Sequence, residues 1–354
     1  MERRDVVLKL SKKGYLLSKD AVDYLLRFSD DIICEIIDKL PDANGIKHLK
    51  ISDIEKTVFR MNVRSSLIYI KRPIRLSRTK IDTLVKLANE RFEKISKILL
   101  NKIDPESVTS INKIKNISSS FTIIGRVISK NLIENIIEID DGTGVTKIKT
   151  TGLVPDEGEI IAIVCEKKNG EIVAKDIIYP DVRFNLKNTF PKSDMKIVVF
   201  SGSNVPKNID FDVGFTLKGN ELNDERVLFV SKKCDNDRRC VENFSVIEIN
   251  DVKIQFILMD DHIKKEIEKY GSVENFIKRI LKRRLILTSE KFLIGLGNDI
   301  YLIDNLPNIL IIFSNKNVSF NYKSVMVVSL DILSENGGCF LIDMNEGKVI
   351  KCSK

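Results

Sequence analysis

The chain has 354 residues, 43% of them apolar and 31% charged, which is the composition of an ordinary globular protein and excludes a low-complexity or disordered one. No run approaches the roughly 18 consecutive apolar residues that a membrane-spanning helix needs. The opening MERRDVVLKL alternates charge with short apolar steps and lacks a signal-peptide pattern, so an intracellular, cytoplasmic protein without a membrane partner is expected. At this length two or three separately buried cores are expected.

The net charge of +8 is unevenly placed. Residues 1–116 carry 25 Lys and Arg against 16 Asp and Glu, and the remaining 238 residues carry 33 against 34. Within the basic third, KRPIRLSRTK (Lys71–Lys80) holds five basic residues, Lys71, Arg72, Arg75, Arg78 and Lys80, and no acid. It reads either as a footprint for phosphates or an acidic partner, or as a solvated lysine-rich face. The six cysteines, Cys34, Cys165, Cys234, Cys240, Cys339 and Cys352, show no CxxC spacing, so reduced structural thiols are expected. Cys234 and Cys240 are close in sequence, but DNDRR between them is charged and no His lies nearby.

The first elements read as helical. Leu8, Leu10, Leu16, Leu17, Val22, Leu25 and Leu26 recur at helical spacings, Ser18 reads as a helix start, and Ile32, Ile33, Ile36 and Ile37 continue the pattern as far as Pro41 and Asn44-Gly45. Residues 46–80 read as a mixed or mobile connection. A strong amphipathic stretch then spans Ile81–Ile103 and stops at Asp104-Pro105.

From Phe121 to Asp181 the period changes to that of strands: FTIIGRVISK, NIIEIDDGTGVTKIKTT and EIIAIVCEKKNGEIVAKDIIYPDV, with turns at Asp141-Gly142-Thr143-Gly144 and Asn169-Gly170. The pattern resembles an OB-fold barrel. Phe121 and Tyr179 are its only aromatics and read as core or packing residues, so a scaffold barrel is expected rather than a base-stacking one. Beyond it come strands MKIVVFS, DVGFTL, VLFVS, SVIEIN and VKIQFIL, one long helix over DDHIKKEIEKYGSVENFIKRILKRRL, and strands DIYLID, NILIIF and VMVVSL. That order predicts a layered α/β core.

The arrangement resembles the small subunit of archaeal family D DNA polymerase, related to the B-subunits of eukaryotic replicative polymerases. FIKRILKRRL with NDIYLIDNLPNIL looks like that family's basic helix and following strands, and GGCFLIDMNEGKVIK is similar to its closing strand and turn. The resemblance implies an α+β multidomain chain: a basic helical region over 1–116, an OB-fold β-barrel over 117–190, and a calcineurin-like phosphodiesterase α/β sandwich over 191–354.

Such a phosphodiesterase holds two metal ions with Asp, Asn and His on the loops after successive strands. The positions that correspond here are Gly202 and Asn204, Asn220 and Asn223, Asn236, Leu258, and Asn315 and Asn317. The whole chain has two histidines, His48 and His262, too few to rebuild the site, and amides replace carboxylates poorly as ligands for divalent ions. Asp235 and Asp237 read as ligands of one weak ion or as a plain turn.

The resemblance therefore implies a non-enzymatic chain without metal or cofactor: an accessory (B-type) subunit, nucleoid-associated, that scaffolds the catalytic subunit of a family D or family B DNA polymerase. The basic N-terminal region would reach DNA. A stand-alone DNA-binding protein and a residual metal-dependent 3'-5' exonuclease are the other two readings.

Overall fold

The structure, a computed structural model, describes residues 3–41, 43, 46–61, 68–78, 80–117, 119–152, 154–182, 193–202, 209–217, 224–234, 239–333 and 338–352. The chain divides into two compact units: Met1–Ile68 with Lys192–Val241 and Asn336–Lys354, and Tyr69–Pro191 with Glu242–Glu335.

The first unit begins with α1 (Arg3–Lys12), β1 (Tyr15–Leu17), α2 (Lys19–Leu25), α3 (Asp30–Lys39), β2 (Lys47–Leu49) and α4 (Ile51–Met61). Ser18 starts α2 as its position predicts: its hydroxyl accepts from Ala21 N–H at 3.2 Å, satisfying one of the four donors a helix start leaves open. Val6, Leu10, Leu25, Ile33, Ile36 and Ile54 form the core of this cluster. The expected connection over residues 46–80 instead holds α4, whose inward face is marked by Ile54 and Thr57. Arg60, on its last turn, reaches Asp212 at 2.8 Å and Asp210 at 2.7 Å, tying this helix to the sheet of the same unit.

In the second unit, β3 (Ile68–Lys71) precedes α5 (Ile81–Leu100). This is the predicted amphipathic helix, ending three residues early, with Leu87, Ala88, Arg91, Ile95 and Leu99 on its buried face. Next come β4 (Phe121–Asn131), β5 (Ile136–Asp140), β6 (Val145–Lys149), β7 (Ile160–Lys168) and β8 (Glu171–Ile178). They close into a five-stranded barrel in the order β4-β5-β6-β8-β7. Asn169 and Gly170, both at positive φ (49° and 82°), make the tight turn between β7 and β8 that the Asn-Gly pair predicts. Ile123, Val127, Ile137, Ile139, Ile148, Ile161 and Ile163 fill the barrel with Phe121 and Tyr179, so both aromatics are core. Burial among them pushes the Cys165 thiol up to about 12.

The chain continues with β9 (Lys196–Phe200), β10 (Val213–Thr216), β11 (Val227–Ser231), β12 (Cys240–Glu242), β13 (Val246–Ile249), β14 (Val252–Leu258), α6 (Asp261–Tyr270), α7 (Val273–Arg283), β15 (Ile309–Ser314), β16 (Val318–Tyr322), β17 (Val325–Asp331), β18 (Cys339–Asp343) and β19 (Lys348–Lys351). The first unit's sheet runs β12-β11-β10-β9-β18-β19, and the second unit's runs β16-β17-β15-β14-β13-β3. In the former, β9, β10 and β11 are parallel; in the latter, β14, β15 and β17 are. These strands read as continuous apolar runs because both their faces are covered. The result is a mixed α/β chain carrying a closed barrel.

Three expectations are corrected. The single long helix is two: Gly271, at φ 76°, ends α6, and Ser272 Oγ caps α7 by accepting from Asn275 N–H at 3.1 Å. DIYLID is not a strand; its one ladder contact is an isolated bridge between Leu302 and Leu285. Asp299 curls this segment by accepting from the N–H groups of Tyr301 (3.0 Å) and Leu302 (3.2 Å). The thiols are not all reduced, since Cys234 and Cys240 are disulfide-bonded. Phe229 N–H donates to Arg239 C=O at 2.9 Å, and the two cysteine Cα atoms come within 5.6 Å, inside the reach of a disulfide.

Two buried ionic contacts hold the second unit together. Arg91, 1% exposed, makes a two-pronged pair with Asp299 at 2.6 and 2.9 Å and donates to Thr288 C=O at 2.9 Å, fixing α5 to the loop after α7. The other contact joins the barrel to the helix pair. Arg279 Nη2 lies 2.5 Å from Glu159, while Tyr270 donates to Asp156 at 2.5 Å and Lys130 does so at 2.8 Å. Arg283, fully buried, donates to Tyr270 Oη at 2.9 Å and to the Leu285 and Ile286 carbonyls at 2.7 Å each. Arg279 and Lys282 also lie over the Tyr179 ring, at 4.9 and 4.2 Å. Beside this junction Gly158, at φ +80°, passes so close to Thr288 that a Cβ would sit 2.7 Å from its carbonyl oxygen. Only glycine fits there.

Burial alone would raise the Asp156 pKa, but hydrogen bonds from Lys130, Tyr270 and Lys269 hold the carboxyl well below the ordinary range. Its contribution to stability is therefore present above the unfolded carboxyl's pKa of about 3.9 and is lost as pH falls through the folded value. Asp156→Asn is expected to cost about 3 kcal/mol near neutral pH, since it strands buried donors, and its deficit against the parent chain should shrink below about pH 4. Urea unfolding from pH 7 down to pH 3 checks this; a deficit independent of pH would contradict it.

Candidate functional site

The positions that the resemblance matches to phosphodiesterase ligands fall in both units. In the first, Gly202 follows the end of β9, and its carbonyl accepts from Thr216 Oγ1, at the end of β10, at 3.2 Å. The preceding residue is stapled to β18: Ser201 N–H donates to Gly338 C=O at 3.0 Å, and Gly338 N–H donates to Ser201 Oγ at 2.7 Å. Asn204, Asn220, Asn223 and Asn236, with Asp235 and Asp237, lie outside the described residues.

In the second unit, Leu258 ends β14 with its side chain buried. Its N–H donates to Asn243 Oδ1 at 2.7 Å, and its carbonyl accepts from Asn243 Nδ2 at 3.4 Å. Asn315 and Asn317 follow β15; Asn315 is exposed, and Asn317 Oδ1 accepts from Asp331 N–H at 2.9 Å. At the ends of β15 and β17 the Ser314 and Ser329 hydroxyls share a hydrogen bond of 2.7 Å, Ser329 Oγ donates to Lys316 C=O at 3.0 Å, and Lys316 Nζ pairs with Glu274 at 2.8 Å.

These strand ends thus present an alkyl group, amides, hydroxyls and an ammonium. Neutral groups that saturate one another supply little of the anionic charge two divalent ions require. Two carboxylates next to these strand ends in sequence make local bonds: Asp260 caps α6 through the N–H groups of His262 (3.0 Å) and Ile263 (2.9 Å), and Asp331 accepts from Leu333 N–H at 2.9 Å. His48 is an exposed residue of β2, in the first unit. His262 is an exposed residue of α6, in the second, and packs edge-on against Phe292 at 4.9 Å between ring centroids. Among the described residues no group of three or more His, Cys, Asp or Glu is placed to hold a metal ion.

The basic run over residues 71–80 is largely built into the second unit. Ile74 C=O accepts from Gly297 N–H at 2.7 Å, Leu76 N–H donates to Gly295 C=O at 2.8 Å, and Asn298 bridges Arg72 C=O and Ile74 N–H at 2.9 Å each. Lys71 turns inward: Nζ donates to Leu302 C=O at 2.6 Å and lies 3.7 Å from Asp304. Burial pulls its pKa down against the opposing pull of Asp304 and Asp299. Arg75 pairs with the buried Glu242 at 2.7 Å, and Arg72 lies 3.9 Å from the same carboxylate and over the Tyr69 ring. Arg78 and Lys80 are exposed. The five residues therefore divide into a buried anchor, two half-exposed partners of one carboxylate, and two side chains facing water. Sequence spacing does not reveal that division, because Glu242 and Asp304 are more than 160 residues away.

Among the described residues no helix is long and apolar enough to cross a membrane. No family model matches the chain. Over 199 residues, 52% of this chain, it is 23% identical to the DNA polymerase II small subunit of Thermoplasma acidophilum, and the match spans 40% of that protein's length. Among solved structures, the S. pombe Stn1-Ten1 complex (18% identity, TM-score 0.18) and the telomere capping protein Ten1 from Saccharomyces pombe (22% identity, TM-score 0.18) each cover 20% of this chain and 72% and 77% of their own chains.

Lys71→Ala is expected to lower stability by about 1–3 kcal/mol, because it removes the donor to a buried carbonyl and the partner of Asp304. Arg78→Ala should leave stability within about 0.5 kcal/mol, as surface substitutions generally do. Urea unfolding of the two variants beside the parent chain tests the division of roles; equal effects would contradict it.

Proposed function

We propose that this chain is a non-catalytic accessory (B-type) subunit of a replicative DNA polymerase, which scaffolds the catalytic subunit during DNA replication. The observation that carries the reading is the 199-residue similarity to a DNA polymerase II small subunit. The chemistry of the second unit's strand ends supports it: Leu258, Asn315 and Asn317 stand where the resemblance implies metal ligands, and Asn243, Ser314 and Ser329 hydrogen-bond around them.

In this reading residues 1–116 are a basic helical region, 117–190 an OB-fold barrel, and 191–354 a phosphodiesterase-like domain that has lost its metal ligands. The partner is the catalytic subunit of a family D or family B polymerase, and the place of work is the nucleoid in the cytoplasm. DNA contact falls to the basic region, and within the 71–80 run chiefly to Arg78 and Lys80. The inward Lys71 and the Glu242-bound Arg72 and Arg75 serve the fold first.

Affinity purification of the tagged full chain from its native host, followed by mass spectrometry, is expected to recover a polymerase catalytic subunit in stoichiometric yield. Recovery of the chain without any polymerase subunit would overturn the scaffolding role.

A further inference from the structure

Arg284 stands immediately after α7 with its backbone in the left-handed region (φ 58°, ψ 24°). Glycine is favoured at such helix ends because a side chain there is strained, yet this position carries the largest cation available. The side chain is 7% exposed. Its guanidinium donates to two carbonyls, Pro180 at 3.1 Å and Ile303 at 3.5 Å, and among the described residues no carboxylate oxygen lies within ion-pairing distance of it.

The two acids nearest in charge are already engaged. Asp181 accepts from Lys323 at 2.7 Å, Tyr322 at 2.9 Å and Val182 N–H at 2.6 Å, and Asp304 is shared by Lys94 and Lys71. Burial pulls the Arg284 pKa down to about 10 against the pull of Asp181 and Asp304, so the group remains a cation near neutral pH while its charge is under-compensated. A buried charge without a counter-charge is costly.

Arg284 lines a cleft of about 400 Å³ in the second unit, together with Asn101, Lys102 and Ser324. Its described lining carries two cations, an amide and a hydroxyl beside the apolar Ile98, Val182 and Leu306, and its carboxylate, Asp181, is paired with Lys323. A planar guanidinium fork matches the paired oxygens of a tetrahedral oxyanion. We infer that this cleft binds an anion of the phosphate class, with Arg284 as its main ligand and Lys102 as the second. The inference does not rest on the proposed polymerase role.

Isothermal titration of the full chain with inorganic phosphate, at constant ionic strength in chloride, is expected to give saturable one-site binding. Arg284→Gly keeps the left-handed backbone and should abolish it. Lys102→Glu leaves the α7 end intact and should weaken binding at least about tenfold, as the loss of a charge-assisted contact does. Circular dichroism of both variants confirms that they fold. A second arm uses a short single-stranded oligonucleotide with a 5'-phosphate or a 5'-hydroxyl: binding sensitive to Lys102→Glu identifies nucleic-acid phosphate as a source, and sensitivity confined to inorganic phosphate identifies the free anion. Absence of saturable binding by the parent chain, or undiminished binding by folded Arg284→Gly and Lys102→Glu variants, would overturn the assignment.

Discussion

The second unit is organised around a buried ionic junction between a β-barrel and a pair of helices. Arg279 and Arg283 lie one helical turn apart on α7 and aim at Glu159 and Tyr270, and Tyr270 passes the connection to Asp156 at the entrance of β7. Such a contact adds little net stability over an apolar replacement, but breaking one side of it is costly because the other side is left charged and dry. Its consequence is registration. The barrel meets α6 and α7 at one rotation, Gly158 gives the close backbone approach to Thr288, and Arg91 fixes α5 to the same loop through Asp299. Hydrophobic packing of Ile95 and Leu99 against Ile124, Ile160 and Ala162 fills the space between.

How much of this was legible depended on how local each signal was. The barrel strands are readable from period-two alternation and from the Asn169-Gly170 turn, and α5 from its apolar stripe, because both signals lie within one element. Helix α4 carries the same kind of signal, with Ile51, Ile54, Val58 and Met61 at helical spacing against the core, and the connection expected there overlooked it. The break between α6 and α7 was signalled by Gly271-Ser272, a stop and a cap in succession, but the apolar period continues across it and hides it. DIYLID has strand composition, yet Asp299 is drawn to Arg91 and bends the segment. The disulfide and the junction required knowledge of which strands lie side by side. Glu159 and Arg279 are 120 residues apart, and nothing at either end names the other.

The candidate site was legible in a different way. A chain with two histidines lacks the imidazoles that the resemblance implies for a two-metal phosphodiesterase, wherever its strands fall. At the described strand ends of the second unit, polar side chains bond to one another and to the backbone. Asn243 satisfies both backbone groups of Leu258, and Ser314, Ser329 and Asn317 close the ends of β15 and β17. A polar cluster saturated internally holds loops in place without offering charge to a metal. The basic run was legible as charge but not as architecture, because the inward turn of Lys71 is set by Leu302 and Asp304, far away in the chain.

The proposed function joins these features as a phosphodiesterase-like framework kept for its shape, in a chain that would serve a polymerase without performing hydrolysis itself. Its most direct test is phosphodiester cleavage by the purified full chain, assayed on single-stranded DNA with manganese and with a chelator as control. No cleavage above the chelated control is expected, whereas manganese-dependent cleavage that the chelator abolishes would overturn the proposed role.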